Sequence, residues 1–280
     1  LRADNLTGTG GRNAIDGSLF FDGSSKLSVP NSADVRLGSN DFTIEAWIKV
    51  GNAAGDWEAI LGMWDSSNTR RTYTLQRKNS DGELYLYVST DGGSTNWAFA
   101  NGGNVTVGDW HHVAGVRDGN TLRVYLNGVE VDNSSYSGTI YNNTTDALFI
   151  GDVETTDTSN FNGYISNARL VNGTCLYPSG TTFTPPTQKL TTVANTQVLA
   201  CQDSDNPLQE ATGKTITGYG NLQTFDDTNL VTNGGFIADI SGWTNAQGTW
   251  AWNSGKAHMT GTSGNSLEQN VTTVVGKIYR

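Results

Sequence analysis

Apolar and polar residues alternate with a period of two along most of the chain up to Gln202, which predicts half-buried β-strands. The cleanest run is Asp41 to Val50. Phe42, Ile44, Ala46, Ile48 and Val50 mark one face, and Thr43, Glu45, Trp47 and Lys49 mark the other. From Trp110 to Asp132 the chain reads WHHVAGVRDGNTLRVYLNGVEVD. Here Trp110, His112, Ala114 and Val116 alternate with His111, Val113, Gly115 and Arg117. Asp118-Gly119-Asn120 and Asn127-Gly128 supply residues that tolerate the left-handed backbone of tight turns, so two consecutive hairpins are expected.

Further strands are predicted at Ser18–Gly23, Lys26–Val29, Ala59–Trp64, Tyr73–Arg77, Leu84–Val88, Ala147–Asp152, Phe161–Gly173 and Gln197–Gln202. Gly51–Glu58 and Thr90–Trp97 are Gly-, Asn- and Asp-rich and are expected to be loops, each holding a tryptophan. No long amphipathic helical window interrupts this pattern. Residues 1–17 lack an apolar period and read as an extended arm, 206–228 as a polar connector, and 229–280 as a second unit.

Composition narrows the function. With 34 Gly and 5 Pro in 280 residues, the chain has the make-up of an all-β protein rich in turns. A net charge of -10, with the 17 basic residues scattered, argues against nucleic acid as partner. No stretch approaches the roughly 20 apolar residues that would insert into a membrane as a helix. Cys175 and Cys201 allow at most one disulfide and are expected to be reduced thiols.

The FTIEAWIKV run and the paired Trp-x-His-Val-Ala and Leu-x-Val-Tyr-x-Asn-Gly strands resemble the signatures of laminin-G-like domains. These belong to the concanavalin A-like jelly-roll superfamily. The resemblance implies an all-β antiparallel sandwich over residues 18–205. The segment after Gly163, with Phe183-Thr184-Pro185-Pro186 and Val198-Leu199-Ala200-Cys201-Gln202, is similar to the tail of such domains in tailed-phage virion proteins. Residues 229–280, with Asn233-Gly234-Gly235-Phe236 and Ser241-Gly242-Trp243, resemble the first half of Gly-Trp-type carbohydrate-binding β-sandwich modules. Only about half of such a module is present.

Candidate chemistry is sparse. His111 and His112 are adjacent on a strand, so their side chains leave opposite faces and do not share a metal. His112 is expected to be a core residue beside Trp110, and His111 to face outward. Related glycoside hydrolases carry a Glu-x-Asp-x-x-Glu strand that sets two carboxylates about 5 Å apart, and no such spacing occurs here. The chain is therefore read as not an enzyme. The laminin-G resemblance implies a calcium ion as the one candidate cofactor, with Asp22, Asp152, Asp157 and Asn160 as candidate oxygen ligands.

Sugar binding needs exposed aromatic faces, which points to Trp57 and Trp97, with Arg70, Arg71 and Tyr73 expected on the same rim. These resemblances imply an adhesion protein on the virion surface of a tailed bacteriophage, a tail fibre or capsid-decorating fibre subunit. Its partners would be host-surface glycan or other virion structural proteins, and it would be a homo-oligomer, with a trimer favoured. The alternatives are a secreted bacterial carbohydrate-binding or adhesin protein and a fragment of a polysaccharide depolymerase.

Overall fold

In the computed structural model, residues 17–51, 55–153, 159–179, 182–203 and 206–220 are described with their side chains, and beyond them the backbone of several short strands. The chain divides into two units, Leu1–Phe225 and Asp226–Arg280. The strands of the first unit are β1 (Leu19–Asp22), β2 (Lys26–Val29), β3 (Phe42–Val50), β4 (Trp57–Asp65), β5 (Arg70–Lys78), β6 (Leu84–Ser89), β7 (Trp97–Gly102) and β8 (Trp110–Asp118). They continue with β9 (Thr121–Leu126), β10 (Val129–Ser135), β11 (Leu148–Ile150), β12 (Asn162–Asn172), β13 (Thr196–Ala200), β14 (Thr217–Tyr219) and β15 (Gln223–Phe225).

Two antiparallel sheets result. The first runs β10-β9-β8-β3-β12-β1-β15, with β13 also paired to β12; the second runs β14-β2-β11-β4-β5-β6-β7. This is the expected all-β jelly-roll sandwich. The alternation of β3 places Ile44 and Ile48 in one core with Val113 of β8, Ile165 and Leu170 of β12, and Leu61, Leu75 and Leu86 of the second sheet. Each such side chain contributes about 1.5–3 kcal/mol through burial. The sheets approach closely at Gly115, where a Cβ would lie 3.0 Å from Leu86 and 3.1 Å from Leu75. Both hairpins around β9 form as predicted, with Asn127 (φ 52°) and Gly128 (φ 83°) in the left-handed turn.

Three expectations are corrected. Trp97 opens a strand, β7, rather than closing a loop, and Trp57 opens β4. The stretch read as a connector at 206–228 contains β14, which pairs with β2, and β15, which pairs with β1. Third, the sheets are longer than the apolar runs because their ends carry polar residues such as Arg70 and Lys78.

Cys175 and Cys201 are both free thiols. Burial raises the pKa of both, that of Cys175 to about 11. In the second unit β16 (Thr244–Asn245) pairs with β19 (Leu267–Glu268), and β17 (Thr249–Asn253) forms a hairpin with β18 (Lys256–Thr260). The motifs at Asn233 to Phe236 and Ser241 to Trp243 lie outside the described residues.

Candidate functional site

A two-sheet sandwich has two outer faces, and here they differ. That of the first sheet is covered by the segment that follows β12. Thr43 Oγ1 donates to the Thr174 carbonyl, Trp47 Nε1 donates to the Pro186 carbonyl, and Tyr177 stacks on Phe183 at 3.7 Å between ring centroids. Beneath this strap lies Glu45, wholly buried. It accepts from Arg169 Nε at 2.7 Å and from the Tyr177 hydroxyl at 2.7 Å, and pairs with His112 Nε2 at 3.0 Å. Arg169 reaches Glu45 because the β12–β3 register shifts between Ser166 and Arg169, where Asn167 takes a φ of 53°. Burial alone would raise the Glu45 pKa. The hydrogen bond and charge of His112, with Arg169 and Tyr177, outweigh it and hold the carboxyl below the usual range.

The histidines are corrected here. His112 is buried, but on the outer face beneath the strap, its ring 5.6 Å from that of Phe183. His111 is also buried, between Thr106 Oγ1 at 2.9 Å and Asn127 at 3.1 Å, rather than facing solvent. This cluster is not legible in the sequence because its members lie 67 to 132 residues from Glu45.

The outer face of the second sheet carries rings in place of a strap. Tyr85 and Tyr87 of β6 point outward because Leu84, Leu86 and Val88 take the core positions between and beside them. Trp57, Trp64, Trp97 and Phe99 join them from β4 and β7. Tyr87 is the hub: its ring lies 5.9 Å from Trp57, 5.7 Å from Trp64, 6.2 Å from Trp97 and 5.2 Å from Phe99. Burial pushes its phenol pKa up to about 12, so it stays a neutral hydrogen-bonding group. Trp97 and Phe99 are each 41% exposed, unusual for rings on a strand.

Between these rings is a cleft of about 320 Å³, lined by Trp57, Trp64, Tyr87 and Trp97 with Asp56, Arg71 and Gln76. The β4–β5 register gives it direction. Trp57 faces Lys78 at one end, Ala59 faces Gln76 in the middle, and Trp64 faces Arg71 at the other. Aromatic rings interleaved with polar groups at set positions can hold a small ligand by stacking and hydrogen bonding.

Of the five residues expected to bind sugar, the cleft gathers Trp57, Trp97 and Arg71. Tyr73 is a correction: it is wholly buried in the core, and its hydroxyl donates to the Val35 carbonyl at 2.7 Å. A register shift between Met63 and Trp64 breaks the alternation, so Arg71 and Tyr73, two apart, leave opposite faces of β5. Arg70 is also displaced from the role expected of it, since its guanidinium is held by Asp146 at 2.8 Å and Asp65 at 2.6 Å. Trp64, Tyr85, Tyr87 and Phe99 were not singled out from sequence. The Tyr-x-Tyr and Trp-x-Phe spacings would have marked them once both strands were known to lie side by side.

Of the calcium candidates, Asp22 and Asp152 bind protein donors. Asp22 Oδ1 accepts from the backbone N–H groups of Ser24 and Ser25 in a local turn. Asp152 binds Lys26 Nζ at 2.5 Å and the Val153 N–H at 2.7 Å. Asp157 lies outside the described residues, and among those described no three His, Cys, Asp or Glu form a metal-binding group. Asn160 follows Ser159 on the approach to β12. Asp22 and Asp152, the two described carboxylates of the four candidates, are thus engaged by protein donors.

A model of the concanavalin A-like lectin/glucanases superfamily matches residues 21–176, more than half of the chain. Among solved structures, the chain is similar to a protein from Bacteroides ovatus provisionally assigned to carbohydrate binding. The identity is 16% and the TM-score 0.57, covering 76% of this chain and 61% of that one. Domains LG4-5 of the mouse laminin alpha1 chain match at 16% identity and TM-score 0.42, over 64% of this chain and 48% of that one. Domain 4 of an extracellular arabinanase from Geobacillus stearothermophilus, in complex with arabinotriose, matches at 19% identity and TM-score 0.43, over 61% and 88%. No curated protein sequence matches the chain.

Proposed function

The chain belongs to the concanavalin A-like lectin/glucanases superfamily, and from that premise we propose that it is a non-catalytic glycan-binding protein whose site is the aromatic cleft of the second sheet. The observation that carries this reading is the exposure of Trp97 on a strand, beside Trp57, Trp64 and Tyr87, on the sheet face the strap does not cover. Pyranose rings present C–H faces that stack on such indoles, and their hydroxyls pair with groups like Gln76 and Asp56. The absence of catalysis is supported by the carboxylates. Glu45 is sealed under the strap, and Glu58 is buried against Arg77. Asp56 is the one carboxylate among the described lining residues, whereas glycoside hydrolysis needs two.

A glycan array probed with the full chain, Trp57→Ala and Trp97→Ala tests the reading. Binding that survives both substitutions removes the cleft, and release of reducing sugar removes the non-catalytic part.

The setting we propose is a fibre subunit on a tailed-phage virion, with weak sites multiplied by oligomerisation, a trimer being favoured. It is supported by the Phe183 to Pro186 and Val198 to Gln202 segments. Both are structural: Pro186 anchors the strap, and the Gln202 side chain donates to Asn167 at 2.6 Å. A second, Gly-Trp-type sugar module after Asp226 fits the same setting. Sedimentation tests it: a stable trimer supports the fibre, and a monomer supports a secreted binding protein instead.

A further inference from the structure

We propose that the cleft selects sugars bearing a carboxylate, with Arg71 as the residue that recognises the acid; this rests on the cleft being the glycan site. The described arginines other than Arg71 spend their guanidinium groups on the protein. Arg70 binds Asp65 and Asp146, Arg77 binds Glu58, Arg123 binds Glu130, and Arg169 binds Glu45. Arg36 and Arg117 donate to the Ser32 and Gly119 carbonyls. Arg71 has no such acceptor, and its Nη1 is buried without a hydrogen-bond partner in the protein. Arg123 Nε also lacks a hydrogen-bond partner, but Arg123 is paired with Glu130 through Nη1, whereas a ligand in the cleft would supply the acceptor that Arg71 lacks.

The surroundings specify that acceptor. The Arg71 guanidinium carbon lies 5.9 Å from the Trp97 ring centroid, and the residue lines the cleft at its Trp64 end. A pyranose stacked on Trp97 would hold a substituent of its ring beside the guanidinium. A planar carboxylate on the ring matches the planar fork with two parallel hydrogen bonds. The far end carries both signs, since Asp56 precedes Trp57 there and Lys78 Nζ lies 5.6 Å from the Trp57 ring centroid. The chain's net charge of -10 does not forbid an anionic ligand, because repulsion from distant charges is screened beyond about 8 Å at physiological salt.

Titration calorimetry of the full chain with α-1,4-linked trigalacturonate and with the same trisaccharide after carboxyl reduction tests the inference. Sialyllactose against lactose provides a second acid–neutral pair. The acid form is expected to bind at least tenfold better in one pair, and which pair does so separates a uronate from a sialate. In Arg71→Met that ratio is expected to fall to about one, and in Arg71→Lys to recover in part. Equal binding of acid and neutral forms by the unaltered chain overturns the inference and leaves the cleft intact. So does a preference that survives Arg71→Met, or tighter binding of a sulfated, uronate-free oligosaccharide. Loss of the cleft reading itself shows differently, as binding in both pairs that Trp97→Ala and Trp57→Ala leave unchanged.

Discussion

Glu45 Oε2 and His112 Nε2, 67 residues apart in sequence, meet at 3.0 Å beneath the strap. The Glu45 pKa is held below its ordinary value of 4.5, so the ionised carboxylate stabilises the fold at pH values above 4.5. That contribution is lost as pH falls through the lower folded value, because protons then bind the unfolded chain first. Guanidinium unfolding at pH 3, 5 and 7 should show stability falling in acid. Glu45→Gln should be about 3–5 kcal/mol less stable at pH 7, since Arg169 loses its buried partner. It should also lose less on acidification. Parallel pH profiles for the two proteins would remove Glu45 as the acid-sensitive group.

Trp97 is expected to separate binding from folding. Its 41% exposure means that Trp97→Ala removes little core, so stability should change by about 1 kcal/mol or less. Glycan affinity should fall by about 2 kcal/mol, roughly 30-fold, as for an aromatic hot spot. A comparable loss in chemical denaturation would mean the indole serves the fold instead.

Tyr73→Phe is expected to do the reverse. Its hydroxyl holds the Val35 carbonyl in a buried pair, and leaving that acceptor unmet costs about 1–3 kcal/mol. A lower melting temperature with unchanged glycan binding is the expected result. Weakened binding at unchanged stability would return Tyr73 to the rim.

Two glycine variants measure how firmly the strap sits on the hairpin. At Gly128 an added Cβ would fall 1.8 Å from the Phe183 carbonyl oxygen, while at Gly119 it would meet nothing within 4 Å. Both residues have positive φ, 83° and 58°, so both substitutions carry the left-handed penalty of about 1–2 kcal/mol. Gly128→Ala should be the more destabilising of the two in urea denaturation by at least about 1 kcal/mol. Equal losses would mean the strap yields freely.

The fold was legible wherever alternation was unbroken. Phe42 to Val50 declared its strand and core face, and Trp110 to Leu126 its strands and turns but not the placement of its two histidines. Legibility ended at register shifts. The irregularity at Met63/Trp64 sends Tyr73 inward and Arg71 outward, and the one at Ser166/Arg169 brings Arg169 to Glu45. A strict period of two forbids both placements. For the site, Trp57 and Trp97 stood out as aromatics in polar surroundings. Tyr87, the ring that joins them, looked like an ordinary strand residue, because its neighbours come from two other strands. The strap was visible only as a proline-containing stretch. That it hides one face, and so leaves the other to bind, depends on contacts across more than a hundred residues.

The pairing of β12 between β3 and β1 bears on how the protein is made. Ile165 lies opposite both Ile48 and Leu19, so the middle of the first sheet is completed by one of its last strands. During synthesis at about 5–20 residues per second, β1 and β3 would wait roughly ten seconds for their partner to leave the ribosome. Until then the backbone edge of Phe42 to Val50 that pairs with β12 is unpaired on a nascent chain, and contacts of such long range close slowly. Yield in the cell should therefore depend more on chaperone supply and translation rate than the stability of the finished sandwich would suggest.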